Sequence, residues 1–228
     1  MALTIVIPED ATSYKPTPVI LLVDVSTSMD PVGIAQANQG IRDYIEEMKQ
    51  NEETRKSVFL SIVTFSDNVR PLIEHQPISS VSAPQLRAEG GTNLSEGLRG
   101  LIDLIKRNEA KFKGGNEPLF VLISDGNPTC EEQEWRDQLA KMNANPFIGK
   151  RPSSGRWAGY RVLAGAGEEI NDVVLEAFRH DKERSQVIRL KNQSNIGEFF
   201  SRLLPLTIEA TEGKVPSKIV GGTQIINE

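Results

Sequence analysis

The chain has 228 residues, of which 38% are hydrophobic and 25% charged, and its formal charge is -5. That length is enough to bury a core without disulfides or a structural metal, and the composition excludes disorder or a fibrous repeat for the body of the chain. The acidic balance argues against sequence-independent binding to nucleic acid or an anionic membrane, since both need a surplus of Lys and Arg.

Cys130 is the only cysteine, so no intramolecular disulfide forms and a reducing compartment is expected. The first residues carry no basic stretch followed by a long apolar run, and no later stretch approaches the ~20 apolar residues of a membrane span. A cytoplasmic protein without a membrane partner is therefore expected. One α/β domain over residues 15–206 is expected, with an N-terminal extension, 1–14, and a tail, 207–228.

Residues 18–24, Pro-Val-Ile-Leu-Leu-Val-Asp, form an apolar run ending in a carboxylate, the pattern of a strand buried on both faces of a parallel sheet. Asp30-Pro31 then reads as a helix start, and Ile34, Ala37, Ile41, Tyr44, Ile45 and Met48 recur at helical spacing, so a helix is predicted to about Glu53. Val58 to Phe65 and Val69 to His75 read as an antiparallel hairpin, with Pro71 placing the second strand at an edge. Gly90-Gly91-Thr92-Asn93 leads into an amphipathic helix carrying Leu94, Leu98, Leu101, Ile102 and Ile105 on one face.

Pro118 to Ser124 repeats the layout of the first strand and ends in Asp125-Gly126, and Thr129 to Glu132 has the form of a capping box for the next helix. Arg161 to Ala164 and Gln186 to Leu190 read as strands. Ile170 to Arg179 and Ile196 to Leu204 read as helices, the last capped by Asn195. Strands alternating with helices predict a doubly wound α/β fold, a mostly parallel central sheet covered by helices on both faces, with one antiparallel edge strand. The tail has a short apolar stretch around Val220 and Ile225-Ile226, and a mobile tail and one packed on a partner both stay open.

In such a sheet, ligands bind outside the carboxyl ends of the strands, where neighbouring loops diverge. Three such places carry oxygen side chains: Asp24-Val-Ser26-Thr-Ser28, Gly-Gly-Thr92, and Asp125-Gly. A hard cation such as Mg²⁺ takes about six oxygens near ~2.1 Å and keeps some waters, so hydroxyls and two carboxylates suit it, with Mn²⁺ or Ca²⁺ as other candidates. Few charges among many neutral hydroxyls leave the ion able to take a carboxylate from another molecule.

Together, Asp24-x-Ser26-x-Ser28, Thr92 in Gly-Gly-Thr and Asp125 in Ser-Asp-Gly resemble the metal-ion-dependent adhesion site of von Willebrand factor A domains. The resemblance implies direct metal contacts from Ser26, Ser28 and Thr92, and contacts through water from Asp24 and Asp125. It also implies binding, without catalysis, of a protein partner that supplies an Asp or Glu. The stretches Val-Ile-Leu-Leu-Val-Asp-Val-Ser-Thr-Ser-Met, Val-Thr-Phe-Ser-Asp and Ile-Ser-Asp-Gly-Asn-Pro-Thr are similar to the bacterial tellurium-resistance TerY-like group. That similarity implies a stress-response or phosphorylation-signalling module with a serine/threonine kinase and a metal-dependent protein phosphatase as partners. Cys130 departs from it, since an acidic residue is expected directly after Thr129.

Blander readings stand beside these. The Asp-x-Ser-x-Ser loop could be a turn capping the next helix, Thr92 a helix cap, and Asp125 a turn former. Cys130 is expected to be an inert thiol, His75 and His180 to lack zinc partners, and the basic, aromatic stretch from Lys150 to Arg161 to be a solvated loop with an aromatic anchor. Two other functions remain: a metal-dependent phosphoryl-transfer or hydrolytic enzyme using Asp24 or Asp125, and a scaffold that binds through the tail while the metal only stabilises the fold.

Overall fold

Strand β1, Thr17–Asp24, is buried along its whole length, and its alternate residues serve two different cores. Val19, Leu21 and Val23 face one helical layer, while Ile20 and Leu22 face the other, which is the period-two pattern of a strand enclosed on both sides. The computed structural model describes residues 14–29, 31–125, 127–167 and 170–219, with the backbone of 225–227.

After β1 come α1 (Val32–Gln50), α2 (Glu52–Ser57), β2 (Val58–Phe65), β3 (Val69–Pro77), α3 (Leu94–Arg107) and α4 (Glu109–Phe112). Then follow β4 (Leu119–Ser124), α5 (Glu132–Ala144), β5 (Tyr160–Ala166), α6 (Asp172–Phe178), β6 (Ser185–Leu190), α7 (Ile196–Ser201), α8 (Leu203–Thr211) and β7 (Ile225–Asn227). The sheet order is β3-β2-β1-β4-β5-β6, parallel except for β3 at the edge, as the sequence predicts, and the short β7 adds antiparallel to β6. Helices α1, α7 and α8 cover the Val19 face, and α3, α5 and α6 cover the Ile20 face. Strand order reverses between β1 and β4, so the loops leaving these two strands diverge and open a crevice above Asp24 and Ser124.

Several element ends differ from the sequence expectation. Helix α1 stops at Gln50 because Asn51 turns extended and its side-chain oxygen accepts the Thr54 N–H at 3.0 Å, starting α2. The Asp30 cap lies outside the described residues, and Pro31 precedes α1 without a side-chain cap. The single helix expected from Ile196 is two, and α8 continues to Thr211 with Pro205 in its first turn, where a missing N–H costs little. Asn195 does not cap α7; its side chain accepts the Asn192 N–H at 3.3 Å instead.

The basic stretch folds at the opposite end of the sheet from the crevice. Lys150 pairs with Trp157, whose ring lies against His180 and over the guanidinium of Arg161. Arg161 is buried and donates to the carbonyls of Phe178 and Ile148, so its charge ties two loops together and does not face solvent. His75 is stacked between Phe59 and Phe112, and burial pulls its pKa down to about 4, leaving it neutral.

Part of the tail is structural. The Gln186 side chain donates to the Ile219 carbonyl at 3.0 Å and accepts the Ile219 N–H at 2.9 Å, as a neighbouring strand would. This clamp seats Ile219 in the core beside β6. Replacing Ile219 with Ala should lower unfolding stability in urea by about 2–5 kcal/mol through the cavity left. Val215→Ala, at an exposed site in the same segment, should change it by less than about 0.5 kcal/mol.

Candidate functional site

Asp24 ends β1 and is fully buried. Its Oδ1 accepts the Ser26 N–H at 2.8 Å, and its Oδ2 accepts the Ser124 hydroxyl at 2.6 Å from the end of β4. The first bond is the local turn that a bland reading of this loop predicts. The rest of the loop does more than turn. Ser26 Oγ and Ser28 Oγ lie 2.9 Å apart, and Ser28 Oγ donates to Asp125 Oδ1 at 3.0 Å. With the Ser28 hydrogen on Asp125 and the Ser26 hydrogen within reach of Ser28 and Asp24, both hydroxyl oxygens keep lone pairs for another ligand.

The loop from Glu89 to Thr92 is laced to the first one. Glu89 N–H donates to Val25 O at 2.8 Å, and Thr27 donates to Gly90 O through its N–H at 3.0 Å and its hydroxyl at 3.1 Å. Gly90 has φ +64°, and a Cβ there would meet the Asp67 carboxylate at 2.4 Å, so this position requires glycine. Asp67 Oδ1 in turn accepts the Gly91 N–H at 2.9 Å. Helix α3 is capped by Asn93, whose side chain accepts the Glu96 N–H at 3.1 Å, so Thr92 does not serve as the cap.

Asp125 follows β4 and is also buried. Its Oδ2 accepts the Gln193 amide at 2.5 Å, and Gln193 also donates to Ser28 O at 2.7 Å. Thr129 does not form the expected capping box: α5 begins at Glu132, after the cap position Glu131, without a side-chain cap. Its hydroxyl accepts the Thr92 N–H at 3.2 Å and its own N–H donates to Thr92 O at 2.9 Å, fixing the third loop to the second.

The structure thus brings all five sequence-predicted residues to one end of the sheet. Ser26, Ser28, Thr92 and Asp125 line a cleft of about 510 Å³, and Asp24 lies beneath the serines. Sequence reasoning missed Ser124, Asp67, Thr129 and Gln193. Ser124 stood next to a chosen residue, and Thr129 was assigned to capping, whereas Gln193 is 68 residues from Asp125 and had no local signal.

The electrostatics are one-sided. Burial pushes the Asp24 carboxyl up to about 6, a rise that hydrogen bonds from Ser124 and Ser26 oppose and the Asp125 charge adds to. Burial also raises the Asp125 carboxyl, against hydrogen bonds from Ser28 and Gln193. Among the described residues, no Lys or Arg forms an ion pair with either carboxylate, and no third His, Cys, Asp or Glu joins them. Hydroxyl and carboxylate oxygens around an uncompensated negative charge form a donor set that fits a hard divalent cation.

Residues 19–202 match the family model of the von Willebrand factor type A domain. The collagen alpha-4(VI) chain of Mus musculus is 25% identical over 143 residues, which is 59% of this chain and 6% of that protein, so this chain spans a small part of the relative's length. Among solved structures, the pilus adhesin SpaC of Lactobacillus rhamnosus GG has a TM-score of 0.63 at 12% identity, over 86% of this chain and 31% of that one. The D319A mutant of the PilB minor pilin of Streptococcus sanguinis has a TM-score of 0.61 at 10% identity, over 90% of this chain and 64% of that one. The vWF domain of the type V pili tip protein Mfa5 of Porphyromonas gingivalis has a TM-score of 0.55 at 11% identity, over 91% of this chain and 99% of that one. At these identities the solved structures carry the fold alone.

Because the folded Asp24 carboxyl titrates near 6, above its unfolded value of 3.8, the native state holds this proton longer. Below both values the position costs nothing, and as pH rises through about 6 a charge appears in the buried site and stability is lost. In EDTA, Asp24→Asn should therefore raise the melting temperature at pH 7.5 by roughly 6–12 °C, the equivalent of about 3 kcal/mol. The same substitution should do little at pH 4, as scanning calorimetry at the two pH values would show.

Proposed function

The chain belongs to the von Willebrand factor type A domain family, commonly a protein-interaction and adhesion module, and on that premise we propose that it binds a protein partner through a divalent cation. The observation that carries this reading is the pair of buried carboxylates, Asp24 and Asp125, set behind three hydroxyl residues at an open cleft, with no Lys or Arg among the described residues paired with them. Ser26, Ser28 and Thr92 are the proposed direct ligands of Mg²⁺, or of Mn²⁺ or Ca²⁺, and Asp24 and Asp125 the proposed ligands through water. When bound, the cation supplies an open Lewis-acid position that takes an Asp or Glu side chain of the partner.

The protein's own residues do the rest. Asp24 and Asp125 orient the serines by accepting hydrogen bonds from the loop, and their negative charge draws the cation. The glycines at 90 and 91 bring backbone close to Asp67 and hold Thr92 at the cleft. The lining supports a non-enzymatic role: Ser, Thr, Gly, Ala, Asn, Gln and Asp residues surround the cleft, and among the described residues no His, Lys or Cys lines it as a nucleophile or base. The similarity of the strand-end motifs to the tellurium-resistance TerY-like group supports a bacterial stress-response or phosphorylation-signalling setting. A serine/threonine kinase and a metal-dependent phosphatase are then the candidate partners, and the single cysteine supports a cytoplasmic location.

The test is capture of proteins on the immobilised chain in Mg²⁺ or EDTA, with wild type and a Ser26→Ala, Ser28→Ala double variant. Partners should be retained only with Mg²⁺ and intact serines, and retention indifferent to both would contradict the proposal. In parallel, Mg²⁺ at a hundredfold excess over its Kd should stabilise wild type by about 2.7 kcal/mol, or about 5–11 °C. The double variant should show no such rise.

A further inference from the structure

Gln193 is the long-range residue that closes the site, and its three hydrogen bonds fix which way its amide points. Nε2 donates to Asp125 Oδ2 at 2.5 Å and to Ser28 O at 2.7 Å, while Oε1 accepts the Gly33 N–H at 3.2 Å. A flipped amide would set an oxygen against a carboxylate and a carbonyl, and an NH₂ against an N–H, so one orientation satisfies every partner. The residue uses both amide hydrogens and its carbonyl oxygen to join the β4 loop, the β1 loop and the first turn of α1.

Its backbone is held as firmly. Gln193–Asn195 is a single 3-10 turn closed by Asn192 and Asn195, each of whose side chains accepts a backbone N–H of the turn. Helix α7 follows directly and packs on α1, with Phe200 pressed so close to Gly40 that a Cβ there would lie 2.5 Å from its ring. Gly33 is small for the same reason, since its Cβ would lie 3.0 Å from Gln193 Oε1.

We propose that Gln193 is a positioning residue for the cation, acting through Asp125. This rests on the metal-dependent reading given above. With Ser28 on Oδ1 and Gln193 on Oδ2, both Asp125 oxygens are occupied by protein donors. The carboxylate is thereby held in one rotamer and kept from swinging forward to chelate the ion with two oxygens. That restraint keeps its contact indirect and leaves the ion's open position for a partner's carboxylate.

The experiment measures Mn²⁺ affinity by titration calorimetry for wild type, Gln193→Met, Asp125→Asn and the double variant, with melting temperatures in EDTA. Met keeps the volume and removes the donor. Gln193→Met should weaken Mn²⁺ binding about 10- to 100-fold, the usual cost of losing an outer-shell partner. It should cost almost nothing more in the Asp125→Asn background, because the two act as one unit. Gly33→Ala, which crowds Oε1 while favouring the helix, should weaken Mn²⁺ binding in the same direction without lowering the melting temperature in EDTA. Wild-type affinity in Gln193→Met, or an equal loss with and without Asp125, would overturn the assignment while leaving the metal reading intact. A wild type that binds no Mn²⁺ would overturn both.

Discussion

Two carboxylates buried at the ends of adjacent parallel strands, with no basic side chain among the described residues paired with them, are the constraint around which this end of the molecule is arranged. Asp24 is fully enclosed, and its hydrogen bonds to a backbone N–H and to Ser124 do not prevent burial from pushing its pKa to about 6. At neutral pH that is a cost on the order of 3 kcal/mol, a large share of what holds a domain of this size folded. On the proposed metal reading, a cation bound in the cleft would offset this cost, which would link local destabilisation to function.

The architecture supplies the place. The reversal of strand order between β1 and β4 separates the loops that follow them and leaves room above Asp24. Three loops then converge, and each is tied to its neighbour by backbone: the first to the second through Thr27 and Gly90, the second to the third through Thr92 and Thr129. Gln193 adds a fourth element through its side chain alone. The cleft is therefore framed by backbone hydrogen bonds between its loops, with the two carboxylates inside it.

Much of this was legible in the sequence because it rests on local rules. A strand buried on both faces announces itself as an unbroken apolar run, and the five oxygen-bearing residues stood at the ends of such runs or at a helix entrance. The misassignments came where two roles competed for one residue. Thr129 and Glu132 match the capping-box pattern, yet the Thr129 hydroxyl is taken by the Thr92 N–H, and α5 starts without a side-chain cap. For Thr92 the sequence favours the ligand reading over a cap, and the next residue, Asn93, is indeed the cap.

Other features depend on contacts between distant segments and leave no periodic trace. Gln193 reaches Asp125 and Ser28 only after the chain has folded. Gln186 mimics a strand partner for Ile219, so part of a tail for which the sequence left both mobility and packing on a partner open belongs to the core. Arg161 sits in a stretch that reads as basic and solvated but is buried against two carbonyls, one at the end of α6. A charged residue can be placed inside only when the acceptors around it are known, and these lie on other elements.

The central claim is that the carboxylate pair and three hydroxyl residues form one cation site. Anomalous diffraction from crystals grown with Mn²⁺ tests it most directly. The account predicts a single strong peak within about 2.3 Å of the Ser26, Ser28 and Thr92 hydroxyls, with Asp24 and Asp125 behind it through water. No peak in the cleft at saturating Mn²⁺, or a peak held by other residues, would contradict it.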